Sequence, residues 1–377
     1  MTASILLAIG LFLLAAAQAA VIGRWRSALA ERTEPAHGAA ATLPRIAVVV
    51  PARDEEARIA AVLQDLHAQR YPRELVEVLV VDDASTDRTA AIAKGMQRTW
   101  PALQVLPSRG TGKKAAIATG VRAAGADLIL LTDADVRFGP DRLRRIAEAM
   151  SATGSDMLIL PVWTEGEGLI GRLQQEEQAA LLGMAMGSAC AGAPTLAYGA
   201  NLAFRKGAFD AVGGYAGDRF ASGDDLFLLR RLQQQGRPIG ALFHPDALVT
   251  TPAVSGLRAF VAQRLRWAGK MSGAPAPMAV LGALALLWPW ALAARTATFS
   301  LSAAMGQHGL LQVLLIAASW LLWLMPVVCL VGEARAAAGR PGHPFATVLA
   351  CAAFAIYAPL LAVASMFVRP AWKGRRV

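Results

Sequence analysis

The sequence predicts an α/β fold with a mostly parallel central sheet, flanked by transmembrane helices. Three observations predict it. Short apolar runs at 46–50, 76–81 and 128–131 alternate with helical stretches, which is the rhythm of a parallel sheet with right-handed crossovers. Hydrophobic residues make up 55 % of the 377, and mean hydropathy is +0.42, too apolar for an ordinary soluble enzyme. Apolar runs of about bilayer-spanning length stand at both ends, 4–22 before the α/β rhythm and 278–294, 310–331 and 345–368 after it.

The chain divides accordingly. Residues 1–23 read as a membrane anchor, because no positive charge precedes the apolar run as a signal peptide requires. Arg24 and Arg26 follow at once and place the next segment in the cytosol. Residues 24–43, with Glu31, Glu34, Pro35 and Gly38, form a linker. The α/β domain runs over 44–253. Its strands are 46–50, 76–81, a short 104–106 and 128–131, with helices after 54, from 88, and over 113–124. Beyond Asp135 the rhythm loosens. A strand is expected at 157–162, then a helix over 169–186 with Gln174, Gln175, Glu176 and Glu177 polar and leucines behind. A strand at 200–204, a Gly213-Gly214-Tyr215 turn and a helix over 224–235 follow.

Residues 254–275 read as a basic amphipathic helix lying in the membrane interface, with Arg258, Arg264, Arg266 and Lys270 beside Leu257, Phe260, Val261 and Trp267. Residues 276–377 form a membrane region of about three apolar segments. A basic tail of Arg369, Lys373, Arg375 and Arg376 prefers the cytosol. One segment should then be re-entrant or interfacial, or the tail breaks the rule; 278–294, which is short and carries Pro289, is the weakest.

The formal charge of +10 first suggests nucleic acid. The basic residues do not interleave with aromatics in one patch, however, and many flank apolar segments, so no nucleic-acid partner is expected. Cys190, Cys329 and Cys351 share no metal-ligand spacing.

The central motif is the 128–131 strand running into Asp133-Ala134-Asp135. Ligands of open α/β sheets sit outside the carboxyl ends of strands, and two carboxylates there can share a hard divalent cation and its bound phosphates. Other motifs each have a second reading. Asp54, Glu55 and Glu56, Asp82-Asp83, and Asp224-Asp225 are all placed where acids favour a helix N-terminus. Asp82 and Asp83 can equally accept hydrogen bonds from a base or ribose. Lys113, in Gly110-Thr111-Gly112-Lys113-Lys114, is a phosphate ligand or half of a solvated pair; the stretch is not a Walker A motif. Gln263, Arg266 and Trp267 share one helix face, either a site or a membrane-surface stripe.

Taken in order, Val50-Pro51-Ala52-Arg53-Asp54-Glu55, Val81-Asp82-Asp83-Ala84-Ser85-Thr86-Asp87, Gly112-Lys113, Asp133-Ala134-Asp135, Gly223-Asp224-Asp225 and Gln263-Arg264-Leu265-Arg266-Trp267 resemble the inverting family 2 glycosyltransferases. The resemblance is to their membrane-bound branch of cellulose, hyaluronan and poly-N-acetylglucosamine synthases, and covers about residues 44–275. It implies a GT-A nucleotide-binding sandwich. It implies that Asp54, Asp82 and Asp83 lie near a uridine, Lys113 near the nucleotide, and Asp133 at the diphosphate. It implies that Asp135 holds Mg²⁺ or Mn²⁺ with Asp133. It sets Asp225 as the catalytic base with Asp224 beside it, and Gln263, Arg266 and Trp267 near the acceptor and diphosphate. Two departures stand out: Gly-Asp-Asp replaces the family's Thr-Glu-Asp, and Ala118 stands where many relatives carry Asn.

The resemblance implies a membrane-anchored inverting glycosyltransferase that moves a sugar from a nucleotide-diphosphate donor, a UDP-sugar, to a hydroxyl of a lipid or polysaccharide acceptor. Its rivals are a sugar-phosphate nucleotidyltransferase, in which the Gln263–Trp267 helix has no role, and a non-enzymatic membrane assembly or transport subunit. The integral membrane protein is expected in a bacterial-type inner membrane, with its catalytic domain cytosolic.

Overall fold

Helix α1 (Thr2–Ala30) leads into strand β1 (Ile46–Ala52) in a computed structural model that describes residues 2–33, 42–218, 223–269, 276–303, 310–368, 371–372 and 375–376. The next elements are α2 (Ile59–His67), β2 (Val76–Asp82), α3 (Thr89–Gln97), β3 (Leu103–Pro107), α4 (Lys113–Ala123), β4 (Leu128–Thr132), β5 (Arg137–Phe138) and α5 (Arg142–Thr153). Then come β6 (Met157–Ile159), β7 (Val162–Glu165), α6 (Gly168–Cys190), β8 (Asn201–Arg205), α7 (Lys206–Ala211), α8 (Asp224–Gln234), β9 (Ile239–Ala241) and β10 (Val249–Pro252). Four long helices close the series: α9 (Leu257–Gly269), α10 (Ala276–Ala303), α11 (Leu310–Ala337) and α12 (Pro344–Ser365).

The main sheet has the order β3-β2-β1-β4-β8-β6-β9. Strands β1 to β4 are parallel, as expected, while β8 runs antiparallel to both β4 and β6. A second sheet, β5-β10-β7, lies beside it. The expected single strand over 157–162 is two strands. Pro161 lacks an amide for the ladder, so β6 stays in the main sheet and the chain re-enters as β7 in the second. Pro161 still uses its carbonyl, which accepts the Val249 amide at 3.2 Å and the Asn201 side-chain amide at 2.7 Å.

Alternate residues of β1, β2 and β4 feed two cores. Ile46, Val48, Val50, Val78, Val80 and Leu130 face α2 and α5, and Val49, Leu79, Val81, Ile129 and Leu131 face α4 and α6. The second core continues into Leu29 of α1 and into Leu330, Val331 and Ala334 of α11. Helix α6 therefore does not present a wet polar face. Gln174, Glu176 and Gln178 are buried: Glu176 meets Arg335 of α11 and Thr347 of α12, while Gln174 and Gln178 bond to the Val254 and Val162 backbone.

Among the described residues, three helical stretches are long and apolar enough to cross a membrane: Ser4–Ala30, Leu310–Ala337 and Pro344–Ser365. Helix α10 is continuous through Pro289, and its Arg295 donates to Ser4 Oγ at 2.9 Å and Gln312 Oε1 at 3.2 Å, near the first turns of α1 and α11. The tail residues Arg369 and Lys373 lie outside the described residues, as do most of the expected 24–43 linker's middle and Lys270.

One buried polar hub supports the central strand end. Arg142, at the start of α5, is fully buried and donates to Thr132 Oγ1 at 2.9 Å and Asn201 Oδ1 at 2.7 Å. Burial pushes its guanidinium down to about 9, and its face lies over the Phe138 ring at 4.3 Å. The Asn201 amide in turn donates to the carbonyls of Pro161 and Ala247, at 2.7 and 2.8 Å. Thus Asn201 joins both sheets and the strand that ends at Thr132. Asn201→Ala should cost about 3 kcal/mol or more, since it strips a buried cation and two buried carbonyls of partners. Arg142→Met should cost less, because it removes the charge together with its need for partners. Thermal unfolding of the two purified variants checks the order; equal losses would contradict the hub.

Candidate active site

The register of the parallel strands builds the site. Ala52 stands opposite Asp82, and Val49 opposite Leu131, so β1, β2 and β4 end at one edge and deliver Asp54, Asp83 and Asp133 to it.

The β1 and β2 loops are stitched to one another. Asp54 has a left-handed backbone (φ 50°), which an Asp tolerates better than most residues. Its amide donates to Ser85 Oγ at 3.0 Å, and its carboxylate accepts the Thr86 amide at 2.7 Å and hydroxyl at 3.2 Å. The Arg53 guanidinium donates to the Asp83 carbonyl at 2.7 Å. Glu56 accepts from the Arg88 amide and Nε at 3.1 and 3.2 Å, and the Glu55 amide donates to Thr89 Oγ1 at 2.7 Å. Asp82 closes a turn by accepting the Ser85 amide at 3.3 Å. Asp83 is buried, and both its oxygens accept the Gly112 amide, at 3.0 and 3.1 Å. Gly112 has φ 95°, a conformation that a side chain would strain, so this glycine lets the loop bring its amide to Asp83 and Lys113 into the site.

Lys113 is the centre of the second half. Its ammonium lies 2.7 Å from Asp133 Oδ1 and 3.7 Å from Asp224 Oδ2. Burial alone would lower its pKa, but Asp133, Asp224 and Asp225 together raise it and keep it charged. Asp133 is itself pushed up, by burial first and by the nearby Asp135, against the pull of Lys113. Burial lowers the Arg266 guanidinium while Asp133 and Asp135 draw it back up, so α9 brings a second cation to the same acids. Four carboxylates, one ammonium and one guanidinium therefore share this strand edge.

The two acids at the start of α8 differ from expectation in which of them supports the helix start. Helical spacing predicts side chains about 100° apart, with Asp224 supporting the helix start. In the structure Asp224 is buried and turned toward Lys113. Asp225 is the one that accepts a helix amide, from Leu226 at 2.8 Å, and also the Gly199 amide at 3.1 Å. Its charge still reaches Lys113 and Asp133. The loop residues Ala221 and Ser222, expected to give this helix start its freedom, lie outside the described residues.

Sequence reasoning missed Gly199. A Cβ there would come within 2.4 Å of Asp224 Oδ2 and 3.1 Å of Lys113 Nζ, so the close seating of α8 needs a glycine. It also missed Tyr198 and Tyr215. Burial and the neighbouring α8 acids raise both phenols, Asp225 acting on each and Asp224 on Tyr215. A glycine directly before a buried strand was the available signal for the first.

Of the face carrying Gln263, Arg266 and Trp267, Arg266 lies in the field of Asp133 and Asp135, while Gln263 and Trp267 meet Arg264. Arg264, expected on the exposed basic side, is buried. It donates to Glu177 and to Gln263 Oε1, and lies over the rings of Phe260 and Trp267 at 4.3 and 4.6 Å.

Residues 47–213 match the family model described as glycosyl transferase family 2. The chain is 31 % identical over 240 residues to the β-monoglucosyldiacylglycerol synthase of Synechocystis sp., covering 60 % of this chain and 47 % of that one. It is 27 % identical over 242 residues to the probable glycosyltransferase YdaM of Bacillus subtilis, covering 60 % and 55 %. The chain thus spans about half the length of these curated relatives. Among solved structures it is similar to the mannosyltransferase PcManGT from Pyrobaculum calidifontis in complex with GDP-Man and Mn²⁺. The TM-score is 0.57 at 22 % identity, over 94 % of this chain and 98 % of that one. That likeness carries the GT-A-like fold, and its mostly parallel sheet is the one the sequence predicts.

The acid cluster makes a direct prediction. Lys113→Ala leaves the carboxylates without their nearest cation. The pair is partly exposed, so the loss is discounted to about 1–3 kcal/mol. Asp133 binds its proton more tightly in the folded than in the unfolded state, so its contribution is present at low pH and lost as pH rises through its folded pKa. Removing Lys113 raises Asp133 further, and the deficit against wild type should widen as pH rises from about 4, the ordinary carboxylate range, toward neutrality. Thermal melts across that range decide it. A deficit that shrinks with rising pH would be the wrong sign.

Proposed function

We propose that the chain is a membrane-anchored inverting glycosyltransferase. It moves a sugar from a nucleoside-diphosphate donor, UDP-linked, to a hydroxyl of a lipid at the membrane face or of a growing polysaccharide. The observation that carries this is the meeting of Lys113, Asp133, Asp224 and Arg266 at the edge where β4 ends. The glycolipid synthase among the relatives favours the lipid acceptor. Arg24 and Arg26, directly after the first apolar run, favour a cytosolic domain in a bacterial-type inner membrane. The cellulose, hyaluronan and poly-N-acetylglucosamine synthase branch is the finer form of the same reading, supported by the Gln263-Arg264-Leu265-Arg266-Trp267 stretch.

The donor set suits Mg²⁺ or Mn²⁺ of one particular kind. No group of three His, Cys, Asp or Glu ligands occurs among the described residues. A cation that takes one or two carboxylates and completes its shell with substrate phosphates needs no more than Asp135 and Asp133. The crowding that raises Asp133 is what such a cation relieves. When bound, it would supply positive charge against the charge building on the leaving diphosphate.

The chain's own residues divide the remaining work. Asp54, Asp82, Asp83 and the Gly112 loop, which meet beyond the ends of β1 and β2, are assigned to the nucleoside. Lys113 and Arg266 bring cationic charge to the diphosphate end, preorganised by the acids around them. Gln263 and Trp267 flank the acceptor. An acceptor hydroxyl is a poor nucleophile and needs a group that takes its proton as the bond forms. Asp133 and Asp135 are engaged by the diphosphate and its cation, and Asp224 by Lys113. Asp225 is the carboxylate assigned to that role.

Asp225→Asn should then lower transfer by ~10²-fold or more while donor binding survives. Asp224→Asn should also weaken donor binding, because it releases Lys113. Calorimetry with donor beside turnover separates the two. Near-normal turnover of Asp225→Asn, or its failure to bind donor, removes the base assignment.

A further inference from the structure

We propose that Glu177 on α6 and Arg264 on α9 form a positioning pair that sets the catalytic helix α9 against the acid cluster. The proposal rests on the glycosyl transfer reading above, and concerns two residues that take no part in the chemistry itself.

Arg264 and Arg266 are two residues apart on one helix, so their side chains leave it about 200° apart. One points to the seam with α6 and the other toward Asp133 and Asp135. The rotation of α9 about its axis therefore decides whether Arg266 reaches the acids, and Arg264 is the group that fixes this rotation. It also holds the site residues on its own helix. Its guanidinium donates to Gln263 Oε1 and covers the Trp267 ring at 4.6 Å.

Glu177 is a firm anchor because α6 is tied on every side. Gln174 donates to the Val254 carbonyl at 2.9 Å and accepts its amide at 3.1 Å, holding the chain just before α9. Gln178 donates to the Val162 carbonyl at 3.0 Å. Glu176 accepts from Arg335 of α11 and from Thr347 Oγ1 of α12 at 2.9 Å. Adjacent acids on one helix thus hold different partners: Glu176 the membrane-type helices, Glu177 the catalytic helix. Side chains of Arg264 and Glu177 are both under a tenth exposed. Burying an ion pair seldom adds stability over an apolar pair of the same size. What the pair supplies is a fixed orientation, and a displacement of about 1 Å at a reacting centre can cost ~10²-fold in rate.

The test has two readouts on the full chain in detergent. Spin labels at the exposed positions 57 and 258, with the three native cysteines replaced by alanine, report where α9 sits. Glu177→Gln should broaden or shift that distance distribution, and Glu177→Asp should return it toward wild type. In turnover, Glu177→Gln and Arg264→Gln should each lose ~10-fold or more. The double variant should lose no more than either single, and Glu177→Gln should cost nothing further in an Arg266→Ala background. An unchanged distance in Glu177→Gln, or a full additional loss on top of Arg266→Ala, overturns the proposal. A wild-type chain that transfers no sugar from any donor would instead defeat the functional reading, while the label distances still decide the positioning role.

Discussion

One ammonium among carboxylates is the interaction on which the rest depends. Lys113 sits 2.7 Å from Asp133 and 3.7 Å from Asp224. At such separations like charges repel by several kcal/mol at an effective dielectric of about 20, so four acids cannot gather at one edge without cations between them. The strand register brings Asp133 and Asp135, the α8 start brings Asp224 and Asp225, and the Gly112 turn delivers Lys113 to the middle. Gly199 lets α8 approach closely enough for the contact to form. Each of these features is explicable alone, but only the cluster explains all of them together.

The same logic extends outward to the helices. The domain is not a soluble unit on a tether. Leu29 of α1 and Leu330, Val331 and Ala334 of α11 belong to the same core as β1, β2 and β4. Helix α6 stands between, and its buried polar side chains hold β7, α9, α11 and α12 in one frame. Buried polar groups of this kind are costly unless every one is satisfied, which is why consecutive residues of α6 each meet a specific partner. The helices long and apolar enough to cross a membrane thus share one packed frame with the helix that carries Arg266.

Much of the domain was legible because buried parallel strands read as continuous apolar runs. Strands β1, β2 and β4 and helices α4 and α8 fell where those runs and their flanking acids put them. What failed was short or depended on distant partners. The 157–162 run is apolar throughout, but one proline divides it between two sheets. Strands β9 and β10 span three and four residues and carry little periodicity. The polar stretch of α6 reads as a solvated face until α11 and α12 are known to cover it, and Arg264 reads as a surface cation until Glu177 is placed opposite. At the site, the motifs name residues of which the structure brings Lys113, Asp133, Asp224 and Asp225 to one edge. Which acid of the α8 pair accepts the helix amide was not legible, because the direction each side chain takes is set by Lys113 and Gly199, far away in sequence.

The most direct test of the central claim is nucleoside diphosphate release. Purified protein in detergent, given membrane lipid and a panel of nucleotide sugars, should release the diphosphate from one donor class with Mg²⁺ or Mn²⁺ present. EDTA or Asp135→Asn should abolish the release, and added cation should restore it only to the wild type. Release at an undiminished rate in EDTA, or pyrophosphate formed from a nucleoside triphosphate instead, would contradict the account.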